Sequence, residues 1–347
     1  MAKLKWGVIG AGGIADRRTL PGLTKAYNAE LTAVMEIEQG FSDKLAAKYG
    51  ADKAYTCHRE LLGDKNVEAV YIASPVVLHY EQARDALNAG KHVLIEKPLA
   101  LSVAQGDELV DLADKNNLIF AAGFMMRFHG HHMAARKMAQ NGDLGKIVSA
   151  RAQLTCWYPE IPGAWRQSYA LSGGGALMDM GVHCIDILQF IMDSTVETVA
   201  AFTDNQTFGY EVEDGAGALL RFKNGAIGYV DAHFNIPDAA AEGRLEIYGT
   251  GGSLLCGGTI GQEEGGRAVL TLSGDVGYQA AQERAADTGA SELPLTPGDL
   301  YQKEIESFGK SVLEGAPLEV PASDAVQIQR VVEAAYASSK SGSFIRL

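Results

Sequence analysis

Cysteine is scarce in this chain: four residues in 347, Cys57, Cys156, Cys184 and Cys256, with no Cys-x-x-Cys pair among them. That scatter excludes a metal knuckle and fits reduced thiols in a cytoplasm. Positive charge is also short. Thirty Lys and Arg against 43 Asp and Glu leave a formal net charge of −13, which argues against nucleic acid or an anionic membrane as partner, since both want a basic face. No uninterrupted apolar run is long enough to span a bilayer, and neither an internal repeat nor a low-complexity tract is present. Lys3 and Lys5 precede an apolar stretch that ends near Ala15, but four glycines break it, which speaks against a signal peptide. Arg17-Arg18 follows that stretch instead of preceding it, so it is no twin-arginine export signal. The expectation is a cytoplasmic protein. Its 47% hydrophobic and 21% charged residues are those of an ordinary globular chain, long enough for two domains.

Glycine, by contrast, is plentiful (40 residues), and its first cluster is the most informative feature. Leu4-Lys5-Trp6-Gly7-Val8-Ile9 reads as a short buried strand running into Gly10-Ala11-Gly12-Gly13-Ile14-Ala15. In a Gly-x-Gly-x-x-Ala turn the first glycine bends the chain. The second lets backbone approach a pyrophosphate, and the small third position lets the helix pack on the strand. The phosphates would sit on free N–H groups at the helix N-terminus. Leu31 to Glu36 reads as the second strand, with Glu36 at its end. A carboxylate there accepts hydrogen bonds from the adenosine ribose and repels a 2′-phosphate. No Lys or Arg follows until Lys44, which favours NAD over NADP. The plainer alternative is a nucleotide-free α/β turn with a surface glutamate.

The rhythm continues as strands near 54–55, 69–73, 92–95 and 119–122, alternating with helices over 42–49, 79–88 and 103–115, the last capped by Ser102. Such alternation predicts a doubly wound parallel sheet, whose ligands lie beyond the carboxyl ends of the strands. Glu36, Ser74, Lys97 and the segment 125–127 fall there. Near residue 123 the character changes. Runs at 147–156, 197–203, 215–222, 226–234, 243–249 and 268–272 have β character, with turns at 223–225 and 249–252. They predict a mostly antiparallel sheet with one helix, 176–192, inserted early and two helices, 298–314 and 323–339, after it. The stretches 257–266 and 273–291 read as long loops.

The helix 176–192 is apolar at nearly every position except Asp179, His183 and Asp186, spaced i, i+4, i+7 on one face. Burying charge is costly unless it is paired. One reading is a hydrogen-bonded polar stripe between domains. The other is an acid/base histidine held by a carboxylate and facing a polar cleft; alternatively Asp186 fixes the ring and Asp179 touches substrate. Lys97 precedes Pro98 after a buried strand. A cis bond there would aim its ammonium toward the cofactor's reactive ring, whereas the bland reading is a surface lysine.

Taken in order, Gly10–Ala15, Ser74-Pro75-Val-Val-Leu-His79, Glu96-Lys97-Pro98, Gly123–Phe128 with Arg127, Trp165-Arg166 and Gly173–Asp186 resemble the glucose–fructose oxidoreductase / inositol dehydrogenase (Gfo/Idh/MocA) family over essentially the whole length. The resemblance implies an α/β protein: an N-terminal Rossmann doubly wound parallel sheet over 1–123, then an α+β substrate and oligomerisation domain over 124–347. That second domain carries a large open, mostly antiparallel sheet, and its C-terminal helices pack back on the first. The open sheet implies a homodimer or homotetramer. The resemblance also implies roles. Gly10, Gly12, Gly13 and Ile14 hold pyrophosphate. Ser74, Pro75, His79, Glu96 and Lys97 line the nicotinamide side, and Trp165 and Arg166 lie over the cofactor. His183 is the acid/base, Asp179 supports it or binds substrate, and Lys97 assists at the reacting oxygen. Met125 and Met126 depart from the pattern, because many relatives carry a polar residue just before the arginine, and this weakens the transfer of nicotinamide contacts to that segment.

The expected activity is NAD-dependent oxidation of a hydroxyl on a sugar, sugar derivative or cyclitol. NAD supplies the hydride acceptor, His183 takes the hydroxyl proton, and Lys97 stabilises charge on oxygen. Arg127, Trp157 and Tyr158 join Lys97, Asp179 and His183 as candidate substrate contacts, the two aromatics alternatively packing in a core or interface. His129-Gly130-His131-His132 looks like a metal tract but has no companion carboxylates. No metal is assigned, and these histidines read as solvent-exposed or substrate-loop residues. Two other activities fit the same resemblance: a glycoside hydrolase that retains NAD for transient ring oxidation, and a non-catalytic dinucleotide sensor, which would be expected to lack Lys97, Asp179 and His183.

Overall fold

Short apolar runs separated by helical spacing fold here as parallel strands joined by helices, and longer alternating runs fold as antiparallel strands. A computed structural model of the chain describes residues 2–273 and 289–347, so most of the loop expected over 273–291 lies outside the described residues. In chain order the elements are β1 Leu4–Ile9, α1 Leu20–Lys25, β2 Ala29–Met35, α2 Gln39–Tyr49, β3 Lys53–Tyr55, α3 His58–Leu62, β4 Ala69–Ile72, α4 His79–Asn88, β5 His92–Glu96, α5 Val103–Lys115 and β6 Phe120–Gly123. Next come α6 Gly130–Asn141, β7 Ile147–Thr155, α7 Tyr169–Ser172, α8 Val182–Met192, β8 Val196–Asp204, β9 Gly215–Phe222, β10 Ile227–His233 and β11 Arg244–Gly249. The rest are β12 Gly252–Gly257, β13 Arg267–Leu272, β14 Ala290–Glu292, α9 Leu300–Glu314, α10 Ala322–Ser341 and β15 Ile345–Arg346. Two units result. One comprises residues 1–125, 161–174 and 299–330, the other 126–160, 175–298 and 331–347.

The first unit holds a six-stranded sheet in the order β3-β2-β1-β4-β5-β6, every pair parallel. Strand order reverses between β1 and β4, the crevice where such sheets take ligands. β4 is buried along its whole length, as an apolar strand covered on both faces must be. Local signals close the helices. Gly50 takes a left-handed conformation after α2, and the Ser102 hydroxyl accepts from the Gln105 N–H at the start of α5. Leu4, Trp6 and Val8 of β1 pack with Ile305 and Phe308 of α9, the Trp6 and Phe308 rings lying 5.0 Å apart.

The second unit holds a nine-stranded sheet in the order β14-β13-β12-β11-β7-β10-β9-β8-β15. All pairs are antiparallel except β7 with β10. Strand β12 lies where the sequence reading saw only a glycine turn. Gly249-Thr250-Gly251-Gly252 is the hairpin between β11 and β12, and Leu254 and Cys256 beyond it point into the core. One face of the sheet packs against α8. The other presents Phe202, Leu219, Ile227, Tyr229 and Leu255 to solvent. Among the described residues one helical stretch, Tyr169–Met192, is apolar and long enough to cross a bilayer, and it is buried inside the protein as a core element.

Helix α1 lies against α9 at Gly22, where a Cβ would stand 2.8 Å from the Gln302 main-chain nitrogen. Backbone cannot yield as a side chain does. Gly22→Ala is expected to lower stability by about 1–3 kcal/mol, read as a drop in the thermal unfolding midpoint.

Candidate active site

In the first unit the glycine turn takes the shape its spacing asks for. Gly10 and Gly13 have φ of +73° and +57°, conformations that favour glycine. At Gly10 a Cβ would also lie 2.6 Å from the Ser74 nitrogen, so this residue is constrained twice, by its own backbone and by the loop after β4. The Gly10 and Ala11 N–H groups both donate to the Met35 carbonyl at the end of β2, which docks the turn onto the neighbouring strand. Ile14 opens a π-helical turn, Ala15–Thr19, that runs into α1, and Ala15 is fully buried. Glu36 stands over the turn. Its carboxylate accepts the Gly12 N–H at 2.6 Å and the Ile37 N–H at 3.3 Å. Two hydrogen bonds leave acceptor capacity on that carboxylate, so the turn and Glu36 fit the pyrophosphate and ribose of a dinucleotide.

The loops after β4 and β5 are tied to each other. His79 is buried, with Nδ1 2.9 Å from the Pro98 carbonyl and Nε2 2.8 Å from the Ser74 carbonyl. Burial pushes its imidazole down to about 4, against the pull of those carbonyls. The ring braces the loops that carry Ser74 and Lys97. Ser74 Oγ donates to Gln82 Oε1 at 2.5 Å, and Pro75 leads into the turn Val76–Leu78. The Lys97–Pro98 bond is cis, and Lys97 is half-buried. Glu96 is buried, its carboxylate accepting from the Tyr71 hydroxyl and from the Lys97 N–H at 3.2 Å. Burial raises its pKa, while Tyr71, Lys97 and Arg166 oppose that rise. Arg166 in turn stacks on Trp165, its guanidinium 4.3 Å from the ring. Glu96, Lys97, Trp165 and Arg166, far apart in sequence, therefore belong to one electrostatic neighbourhood at the strand ends.

In the second unit Asp179 lies in a π-helical turn, Leu177–Gly181, that leads directly into α8. Burial grades along the row: Asp179 is half-buried, His183 is 5% exposed and Asp186 is fully enclosed. Asp186 pairs with Arg127, its Oδ1 accepting from Nε at 2.9 Å and from a terminal guanidinium nitrogen at 2.5 Å. Arg127 also lies over the Phe190 ring at 5.2 Å and is 4% exposed. Arg127 thus lies in the interior, where it neutralises Asp186. Of the two carboxylates, Asp179 is the one the structure leaves partly exposed.

Trp157 and Tyr158 diverge, as consecutive residues of an extended segment do. Trp157 is exposed and meets Phe208 edge-on at 5.2 Å. Tyr158 packs on Phe234 at 5.1 Å, beside a core cluster of Ala176, Met180 and Ala232, so core packing describes it better than substrate stacking. The histidine tract is buried, contrary to the exposed or substrate-loop expectation. His129 Nε2 lies 2.9 Å from the Gly265 carbonyl, and His132 faces the Met126 carbonyl and the Thr259 hydroxyl. These rings hold the 257–266 loop against α6. Met125 and Met126 are buried as well.

Two further carboxylates escaped the sequence reading. Glu213 accepts the N–H groups of Gly175 and Leu177, and Asp214 accepts those of Gln206, Thr207 and Phe208. Their only signal is an acidic dipeptide immediately before an apolar strand.

Two family models match in tandem. One, described as an oxidoreductase family with an NAD-binding Rossmann fold, covers residues 4–124, and the other, a GFO/IDH/MocA C-terminal domain, covers residues 132–255. The chain is 32% identical to 1,5-anhydro-D-fructose reductase of Ensifer adhaerens, over 90% of its own length and 88% of the relative. It is 25% identical to D-xylose 1-dehydrogenase (NADP(+)) 2 of Haloferax volcanii, over 99% of its length and 100% of the relative. The aldose-aldose oxidoreductase of Caulobacter crescentus, crystallised with glycerol, shares the fold with a TM-score of 0.88 at 23% identity, covering 99% of this chain and 100% of that one. The chain belongs to the Gfo/Idh/MocA family of oxidoreductases.

Replacing one member of a buried ion pair leaves the other charge uncompensated. Asp186→Asn is expected to cost about 3–5 kcal/mol of stability, measured by urea unfolding. The double variant with Arg127→Met should recover part of that loss.

Proposed function

We propose that this chain is an NAD-dependent oxidoreductase that moves a hydride between a hydroxyl of a sugar, sugar derivative or cyclitol and nicotinamide. The observation that carries the cofactor reading is the Gly12–Glu36 contact at the turn after β1. It supports NAD, since a carboxylate beside that turn would accept from adenosine ribose hydroxyls and repel a 2′-phosphate. Gly10, Gly12, Gly13 and Ile14 would take the pyrophosphate, with Ser74, Pro75, Glu96, Lys97, Trp165 and Arg166 toward the nicotinamide. When bound, the nicotinamide supplies a hydride acceptor, which no side chain offers.

The chain's own residues handle the proton and the charge. An alcohol that loses a hydride must also lose its hydroxyl proton, and His183 is the acid/base for that proton, supported by Asp179. Lys97 stabilises negative charge on the reacting oxygen. Trp157, with its exposed ring beside Phe208, is the aromatic suited to the apolar face of a sugar ring. A sugar-type substrate is supported by relatives named for an anhydro-sugar and an aldose. The exposed apolar sheet face supports assembly into a homodimer or homotetramer, since a patch of that kind is seldom left bare. The scattered spacing of the cysteines supports a cytoplasmic setting.

The test is a panel of 1,5-anhydro-D-fructose, D-xylose, levoglucosan and myo-inositol, assayed with both nicotinamide cofactors in the redox state each sugar requires. At least one member should change the absorbance of reduced nicotinamide stoichiometrically. His183→Asn is expected to lower turnover about 10²–10⁴-fold with NAD affinity nearly unchanged, and full activity in that variant would overturn the assignment. Glu36→Ser should weaken NAD binding and narrow the ratio of NAD to NADP affinity. An unchanged ratio would remove Glu36 from cofactor selection.

A further inference from the structure

The helix that carries Asp179 and His183 begins on a single carboxylate. Glu213, just ahead of β9, is 8% exposed. Its Oε2 accepts the Gly175 N–H at 2.9 Å and its Oε1 the Leu177 N–H at 3.0 Å. The Tyr336 hydroxyl in α10 donates to the same Oε1 at 2.8 Å, and the Ala176 N–H donates to the Glu213 main-chain carbonyl at 3.0 Å. Three consecutive amides at the helix start therefore end on one residue. Contact is close enough to dictate sequence on the other side. A Cβ at position 175 would stand 1.9 Å from the Glu213 carbonyl oxygen, so Gly175 is the only residue that lets the two strands of chain meet this way. A negative group at this end of a helix is also favoured by the helix dipole.

The consequence lies downstream. Leu177 opens the π turn, Asp179 is in it, and His183 is in the first turn of α8. The turn is held at its start by Glu213 and continues into a helix whose far end is packed in the core, so the amide contacts set the rotation at which Asp179 and His183 leave the backbone.

We propose that Glu213 is a positioning residue for the acid–base pair, acting through the Gly175 and Leu177 N–H groups. The inference rests on the reading of His183 given above. Small misplacements of reacting groups cost rate out of proportion to their size, whereas a purely structural contact costs stability and leaves the turnover of the folded protein unchanged.

A double-variant cycle separates these cases. The whole chain is compared as unaltered protein, Glu213→Gln, His183→Asn and the two combined, on the panel sugar turned over fastest. Protein concentration is corrected for the folded fraction. Glu213→Gln is expected to lower kcat about 10-fold with the KM for the dinucleotide unchanged. In the His183→Asn background the same change should cost less than about twofold, because interacting residues are non-additive. Equal losses in both backgrounds, or an unchanged kcat, overturn the inference. Tyr336→Phe, which removes one donor and leaves the helix amides in place, should give a smaller loss in the same direction, and it serves if the glutamine variant folds poorly. An inactive panel or a fully active His183→Asn variant overturns the proposed function and this inference with it. A loss at His183 with additive behaviour at Glu213 overturns the inference alone.

Discussion

Main-chain N–H groups at the start of a helix or in a tight loop have no partner in their own element, and burying them unsatisfied is costly. In this chain carboxylates answer that need at several such places. Glu36 takes Gly12, Glu96 takes Lys97, Glu213 takes Gly175 and Leu177, and Asp214 takes Gln206, Thr207 and Phe208. Charge-assisted bonds of this kind are stronger than neutral ones. They let glycine-rich backbone hold a defined shape without side chains filling the space a ligand needs. The acidic balance of the composition thus has a partly internal use.

The two helices that carry the proposed chemistry share a second device. Each opens with a π turn, Ala15–Thr19 after the glycine turn and Leu177–Gly181 before α8. Such turns are rare and concentrate at functional sites. Both follow glycines, so the wider turn comes where the chain has least steric restriction. Small residues within the turn keep it close to its sheet. Ala15 is fully buried, and Gly181 leaves room for Leu177, whose Cδ1 a Cβ at 181 would approach to 2.6 Å.

Much of the fold was legible from periodicity. The helix 79–88 and the strand 215–222 stand where the spacing placed them, as α4 and β9. Strand β12 was hidden because glycines at both ends, Gly252 and Gly257, look like turn residues, and only pairing with β11 and β13 makes them strand. The site was legible by residue type and less so by role. His79 and Arg127 sit in recognisable motifs, yet tertiary partners decide that one ring faces two carbonyls and that one guanidinium faces Asp186. Two of those partners lie 19 and 59 residues away, beyond any local pattern. Glu213 reaches back 36 and 38 residues to the amides it holds, for the same reason.

The enclosed imidazoles set how this protein meets acid. Burial holds His79 at about 4 in the first unit and His132 at about 3 in the second, while an unfolded chain protonates histidine near 6.5. Native molecules therefore bind fewer protons than unfolded ones throughout that interval, and proton uptake favours unfolding as pH drops. The stabilisation these rings represent is intact above about 6.5 and erodes downward from there. Ordinary exposed carboxylates are still ionised when the erosion starts. Mild acidity accordingly lowers the stability of the folded state that these two rings help to hold, one at the Ser74 and Lys97 loops and the other at the 257–266 loop.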